Sequence, residues 1–490
     1  MKTRILWKCL VSAAVTWLLA SNCFAALFPK NLLGEKVPNP FQKDESSDKG
    51  KISGVSGTGY NRHNTTAVAW QNGDLPRADA ESRRLADKHS DGKDFIIYRL
   101  ERGAVLAAAN SLEPSNGAFD EAEKQIDDFA TKAKTNLGDE FLSGALKPSM
   151  VPYRGHAYDG IMLNTYKALN FLRLGDGEKA KVELTRASQR QIDAIEANKR
   201  RIERETAEIE KRKDKEQIQK AEEDDKLKQQ LEEVYGDLDQ LKPYANYENP
   251  YAVYLDGLVT MAVSASLADN DYARKAFERA VGFEPENAHL KADLAAMEGV
   301  VRGQAIPPTT YVIFETGSAP TRDQVKIELP VPGAGSYFAA AFPKLKFNDD
   351  FAQFLEVAHG STSDKSVLLA SMDSVIGREF KNDLPGMKTR SLAWAAGKAT
   401  ASGFAGGWGK ASIFLLQKFF NEADLRTWVT LPKEVHICRF ATPEDRKIVV
   451  STPGGNQRAE ITVGEGHFNL VHVRSINTRT PLIVTQTKLK

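Results

Sequence analysis

Cysteine is nearly missing from this chain, with three in 490 residues, and two of them, Cys9 and Cys23, fall at its very start. Once that start is removed only Cys438 is left, so no internal disulfide can form even in an oxidising compartment. A core drawn from a chain of this length does not need one. An excess of charge is missing too. The 66 basic residues meet 65 acidic ones, and without Lys2, Arg4 and Lys8 the count is 63 against 65. That balance argues against a nucleic-acid partner, which asks for a basic surface. No apolar run reaches the roughly 20 residues of a bilayer-spanning helix, so the chain is not polytopic.

The motifs of common chemistries are absent as well. The stretch Gly403-Phe404-Ala405-Gly406-Gly407-Trp408-Gly409-Lys410-Ala411-Ser412 ends in Gly-Lys, yet Phe404 and Ala411 stand where a phosphate-binding loop needs a glycine and a hydroxyl. It reads as glycines that let two helices pack closely, or as an amphipathic segment touching a membrane through Trp394, Phe404, Trp408 and Phe414. The glycines of Gly54-Val55-Ser56-Gly57-Thr58-Gly59 have no strand before them and no prompt helix after, and fit a linker. The histidines are scattered, and none pairs with a carboxylate or cysteine at metal-binding spacing. Cys438, on an expected strand with no base near it, reads as a buried structural thiol. No serine sits in a nucleophile elbow. No catalytic residue, cofactor site or metal site emerges, and the chain reads as non-enzymatic.

What the sequence does contain begins with an export signal. Lys2, Arg4 and Lys8 precede an apolar stretch from Leu10 to Ala20 and small residues ending at Ala25, the pattern of a signal peptide over 1–25. Two cleavage readings stand open. A cut after Ala25, with Cys23 and Ala25 as the small residues, releases a soluble periplasmic protein. Alternatively Cys23 is lipidated and becomes the N-terminus of a membrane-anchored one, although Ala20 and Asn22 depart from the lipidation pattern. Either way about 465 residues remain, enough for two or three domains.

Residues 26–80 are rich in Gly, Pro, Asn, Ser and Lys and lack a sustained period, which predicts a flexible linker. From 81 to 303 the pattern is helical and recurs. Gly175, Ala180, Leu184 and Ala187 match Ala268, Ala273, Phe277 and Ala280 step for step, with Pro285 closing the second copy. A weaker copy runs from Phe95 through Ala109 with Ala122, Ile126 and Phe129. Small residues recurring where helices touch, with a large one between, is tetratricopeptide spacing. Stacked units of that kind offer a concave face to another protein. Within this region 188–241 forms a charged insertion. Ile195, Ile202 and Ile209 recur once per heptad, and Leu227, Leu231, Val234, Leu238 and Leu241 follow coiled-coil steps. The insertion is either one long arm for partner contact or self-association, or a hairpin reversing near Asp224-Asp225.

Past Gly303 the period changes. Tyr311–Glu315 and Val325–Pro330 around a Gly-Ser-Ala-Pro turn predict a hairpin. A helical stretch from about 367 to 424, broken by Pro385, completes a mixed region 304–433. Alternating apolar residues over 434–490 predict a small antiparallel domain. The expected fold class is therefore mainly α, with tetratricopeptide-like repeats and a long charged helix, plus a C-terminal antiparallel β-sandwich-like domain.

Several segments, in order, carry a resemblance: Leu163–Leu172 through Ala187, Asn249–Leu258, Phe314-Glu315-Thr316-Gly317-Ser318-Ala319-Pro320, Leu384–Arg390, and Ala423-Asp424-Leu425-Arg426-Thr427-Trp428-Val429-Thr430-Leu431-Pro432. Together they resemble a largely uncharacterised family of bacterial envelope proteins, often lipoproteins, with tetratricopeptide-like repeats. The resemblance implies an envelope location, frequent N-terminal lipidation and, in some bacteria, a gene neighbourhood with lipoproteins that activate cell-wall synthases. It carries over no catalytic residue. The polar residues Glu315, Arg390, Asp424 and Arg426, with Trp428, are expected to form a buried network joining sheet to helices. The function expected is a periplasm-facing scaffold that binds a protein partner in envelope or peptidoglycan assembly. The alternatives are a self-assembling envelope component built on the charged helix, and an enzyme of unfamiliar design.

Overall fold

Two helices form where composition predicts only linker. The structure, a computed structural model, describes residues 64–134, 151–211, 215–241, 244, 247–331, 336–403 and 423–490. All of them belong to one compact unit. The export segment with Cys23, the Gly54–Gly59 stretch and the motif residues 404–412 lie outside the described residues. Helix α1 (Thr65–Gln71) starts where the Asn64 side chain accepts from the Ala67 N–H. Helix α2 (Leu75–Lys88) starts where Asp74 accepts from Arg77, with proline in the first turn. These are strong local start signals. Ala69, Trp70 and Ala78 then pack against Val105 and Ile476, so the end of the expected 26–80 linker is part of the core. Bulk composition averaged over the caps that decide local structure.

The next helices pack as successive pairs: α3 (Phe95–Ala108) with α4 (Leu112–Lys134), then α5 (Ala157–Arg173) with α6 (Gly177–Glu210). The first pair approaches so closely that a Cβ on Gly103 would stand 2.4 Å from the Phe119 ring. In the second, Gly175 turns the chain at a φ of 78°, the left-handed conformation a helix stop favours. A polar knot ties the two pairs together. Lys167 is buried against Asp120, Glu123 and Glu183 at 2.7 to 3.0 Å, and Asn164 donates to Glu123 and Glu183. Each buried charge thus has an opposite charge and a hydrogen bond beside it, the condition for tolerating burial.

Helix α6 runs for 34 residues and then the chain comes back. Helices α7 (Lys215–Glu223) and α8 (Asp225–Tyr235), the latter capped by Asp224, lead to the Asn249 N–H, which donates to Gln191 Oε1 at 2.8 Å. The insertion is therefore not one unbroken arm, since the helix ends at Glu210 and two shorter helices bring the chain back to the body. The coiled-coil-like face is covered within the chain. Leu227, Leu231 and Leu238 lie in one cluster with Ile327, Phe342, Phe380 and Leu384. Helices α9 (Pro250–Val263), α10 (Leu267–Phe283) and α11 (Ala288–Val301) complete this layer.

Eleven strands are described: β1 (Thr309–Thr316), β2 (Thr321–Val331), β3 (Ser336–Lys346), β4 (Glu356–His359), β5 (Thr362–Lys365), β6 (Val367–Ser371), β7 (Glu434–Ala441), β8 (Lys447–Ser451), β9 (Arg458–Thr462), β10 (Phe468–Ser475) and β11 (Ile483–Lys488). Between β6 and β7 lies α12 (Met372–Gly403), a helix that continues through Pro385. The main sheet has the order β11-β10-β1-β7-β6, and a second sheet the order β5-β4-β8-β9.

Two expectations are corrected here. Strand β1 does not form a hairpin with β2, which pairs with β3 instead. Nor do residues 434–490 close a domain of their own, because β1 lies between β7 and β10 and runs parallel to β10. The physical reason is burial. Every residue of β1 is buried, as befits a central strand with both faces covered. One face, with Val312 and Phe314, meets Val357, Ile448 and Val450 of the second sheet. The other, with Tyr311 and Ile313, joins the helical core. The layers are helices, mixed sheet and antiparallel sheet. Among the described residues no helix is long and apolar enough to cross a membrane.

If the stripe on α8 is an internal core, Leu231→Ala should cost about 2–5 kcal/mol. Denaturant unfolding would register the loss, and sedimentation should show the same oligomeric state as the parent chain. A change of state with unaltered stability would contradict this packing.

Candidate functional site

The alternation of β1 sends Glu315 toward the helices, and the parallel register sets Arg474 of β10 opposite it, with His472 opposite Ile313. Four groups converge on the buried carboxylate. Tyr166 of α5 donates to Glu315 Oε2 at 3.2 Å and Tyr251 of α9 to Oε1 at 3.1 Å. His472 Nε2 lies 3.1 Å from Oε1, and Arg474 Nε lies 3.8 Å from Oε2. Burial alone would raise the carboxyl pKa, but the charges of His472 and Arg474 and the Tyr251 hydrogen bond outweigh it, so Glu315 stays below its ordinary value. Burial and this neighbouring charge hold the Tyr166 and Tyr251 phenols protonated, with pKa values well above 10.

A second cluster forms on the coil leading into β7. Arg426 grips Asp424 with Nε and Nη2 at 2.8 and 2.6 Å. It reaches Asp94 with Nη1 at 3.0 Å and the Lys93 carbonyl at 3.2 Å, and its guanidinium lies over the Tyr153 ring. This forked geometry is what arginine supplies and lysine does not. Burial raises Asp424, but the charge and hydrogen bonds of Arg426 bring it down to about 2.

Trp428 joins the two clusters. Its ring, fully buried, meets Tyr166 edge-on at 5.8 Å and Phe119 at 5.9 Å, and its N–H donates to Thr430 at 2.7 Å. The next backbone N–H, of Val429, donates to Glu101 at 2.9 Å. The structure thus brings Glu315, Asp424, Arg426 and Trp428 to one helix–sheet junction. Arg390 sits half-buried on α12, and the contacts of Glu315 and Arg426 given above are made with other residues. Cys438 is buried on β7, where burial pushes its thiol up to about 12.

Beside Glu315 the junction holds a pocket. Its floor is the helix-facing side of β1, β10 and β11 with Glu315, His472, Arg474 and Thr485, and its roof carries Trp70, Ala104, Ala107, Asn170 and Arg173. Strand alternation carried a signal for it, since His472 and Arg474 follow Phe468 and Leu470 at the core-facing positions of β10. Asp94, Tyr166 and Arg173 gave none, because their partners lie far along the chain.

Among the described residues one group has the makings of a cation site: His156, Glu379 and Asp383, whose ligating atoms lie within 4.8 Å of one another. Each carboxylate already has a partner. Glu379 accepts from the Ala157 and Tyr158 N–H groups at the start of α5, and Asp383 pairs with Arg201 at 2.5 Å. These pairings join α12 to α5 and α6. Comparison with protein-family models, with curated proteins and with solved structures finds no match to this chain.

Arg426→Ala should lower the melting temperature sharply, since it takes the forked partner from half-buried Asp424 and leaves buried Asp94 with Lys93 alone, a change worth about 3–5 kcal/mol. The acid limb offers a separate check. Because the folded pKa of Asp424 lies below its ordinary 3.8, its contribution is complete above about pH 4 and is lost as pH falls toward about 2. The stability difference between wild type and Arg426→Ala should therefore shrink across that window. A difference constant from pH 6 to 2 would remove the ion pair from the account.

Proposed function

We propose that this chain is a non-enzymatic, periplasm-facing envelope protein whose tetratricopeptide-like helical pairs form a scaffold for a protein partner in envelope or peptidoglycan assembly. The export signal and the family resemblance motivate the compartment. The repeat spacing is supported by the equivalent burial of Ala180, Leu184 and Ala187 on α6 and of Ala273, Phe277 and Ala280 on α10, each set pointing to the preceding helix of its pair.

The observation that carries the binding role is on α6. Its core-facing line, Ala180–Leu184–Ala187–Gln191, is covered by the body of the protein. Beyond Gln191 the same face continues as Ile195 and Ile202 with Ile192 beside it, and these are 52%, 37% and 64% exposed. Isolated apolar residues on a surface need no explanation. Three on one face of a helix that is otherwise charged form a seam one helix wide, which another amphipathic helix would cover. A partner helix of another protein is the occupant proposed, its charged flanks matched to the Arg and Glu residues on either side of the seam.

The double variant Ile195→Glu/Ile202→Glu should fold like the parent, because both positions are exposed, and should lose the partner captured by crosslinking in intact cells and mass spectrometry. Recovery of the same cell-wall synthase or assembly factor with both variant and parent would sink this surface. Recovery of only the chain's own peptides from the parent would favour self-assembly along α6.

A further inference from the structure

The pocket beside Glu315 is separate from the α6 seam and its contents are unusual for a structural void. Its volume is about 60 Å³, room for about four waters at roughly 15 Å³ each. The space exists because the α3 side of the roof is alanine at Ala104, Ala107 and Ala108, three positions on one helical face where leucines would fill it.

Charge is unevenly matched around it. Glu315 is engaged by Tyr166, Tyr251, His472 and Arg474, whereas among the described residues Arg173 of α5 has only neutral partners. Its Nη1 donates to the Ala107 carbonyl at 2.9 Å and its Nη2 to Asn110 Oδ1 at 2.6 Å. Burial lowers its pKa, and no acidic group offsets this. The lining therefore holds more basic groups than acidic ones, three against Glu315 alone. Among the described residues, four further polar atoms of the lining, Trp70 Nε1, Asn170 Oδ1, His472 Nε2 and Thr485 Oγ1, are buried without a hydrogen-bond partner, His472 Nε2 standing 3.1 Å from Glu315 as an ion-pair contact. Trp70 and Asn170 are themselves only 2% and 1% exposed. Buried polar groups without partners are rare in folded proteins and call for a reason. Leu169, Leu470 and Ile483 supply the remaining, apolar wall.

We infer that this pocket binds a small organic carboxylate, its charge held by Arg173 with the Trp70 and Thr485 donors, and its short apolar body laid on the alanine roof and the leucine wall. The shallow space between the alanine roof and the sheet suits a short acid such as propionate or butyrate. A larger acid would have to leave its tail outside.

The test uses the full processed chain, ligand-observed NMR and thermal melts, with butyrate as probe. Butyramide serves as the uncharged match, and sodium chloride and sodium phosphate at equal ionic strength as anions without an apolar body. Saturable binding of butyrate, on the order of a millimolar, is expected, with a rise in melting temperature that the three controls do not give. Arg173→Gln should weaken it roughly tenfold or more while Arg173→Lys retains part of it. Ala107→Leu, which leaves every charge in place, should abolish it by filling the space. Equal effects of butyramide, equal effects of chloride or phosphate, absence of butyrate binding to the folded parent, or full binding by a folded Ala107→Leu variant would each overturn the inference.

Discussion

An ionised carboxylate at the centre of the molecule sets the terms for everything around it. Glu315 lies on the innermost strand, away from solvent, and such a group is tolerated only when charge and hydrogen bonds surround it on all sides. No single layer of the fold supplies them. The tyrosines come from two different helical pairs, while the imidazole and guanidinium come from the neighbouring strand. The carboxylate is thereby satisfied only when helices and sheet are docked in one relative position. Hydrophobic contact between the layers is less particular, since apolar faces of similar volume can slide over one another. The second cluster, around Arg426, repeats the device at the other end of Trp428, so the junction is pinned at two points.

Much of the helical layer was legible because helices announce themselves over short distances. The four-three spacing of Ala180, Leu184 and Ala187, and of Ala273, Phe277 and Ala280, marks which face is inward without knowledge of the rest. The strands were legible as strands but not as a sheet. Alternation identifies β1, β7 and β10, yet nothing near β1 says that its neighbours lie more than a hundred residues onward. The hairpin and the separate C-terminal domain both come from joining what is adjacent in sequence. The error at residues 65–80 has another origin: a glycine- and asparagine-rich average concealed Asn64 and Asp74, two residues placed to start helices.

Of the polar residues singled out in the sequence, Glu315, Asp424, Arg426 and Trp428 meet at the junction, while Arg390 sits half-buried on α12. Their partners were the harder half. Asp94 and Glu101 are charged residues on or beside an amphipathic helix and look like ordinary surface. His472 and Arg474 interrupt an apolar strand, which is a readable anomaly, but their purpose depends on a glutamate far upstream. Polar networks in cores are built from pairs that no local pattern links, and this is why the sequence shows members and hides connections.

The place of β1 also imposes an order in time. When the chain has been made as far as β1, all the helices that receive Glu315 exist, but neither strand that will flank it does. Both edges of β1 then carry backbone groups without partners, in a segment that is apolar on both faces, until β7 and β10 arrive near the end of the chain. Pairings between such distant segments form slowly, and exposed strand edges are the usual route to aggregation. Loss of the last few dozen residues would therefore not trim the protein at its margin but unmake its middle.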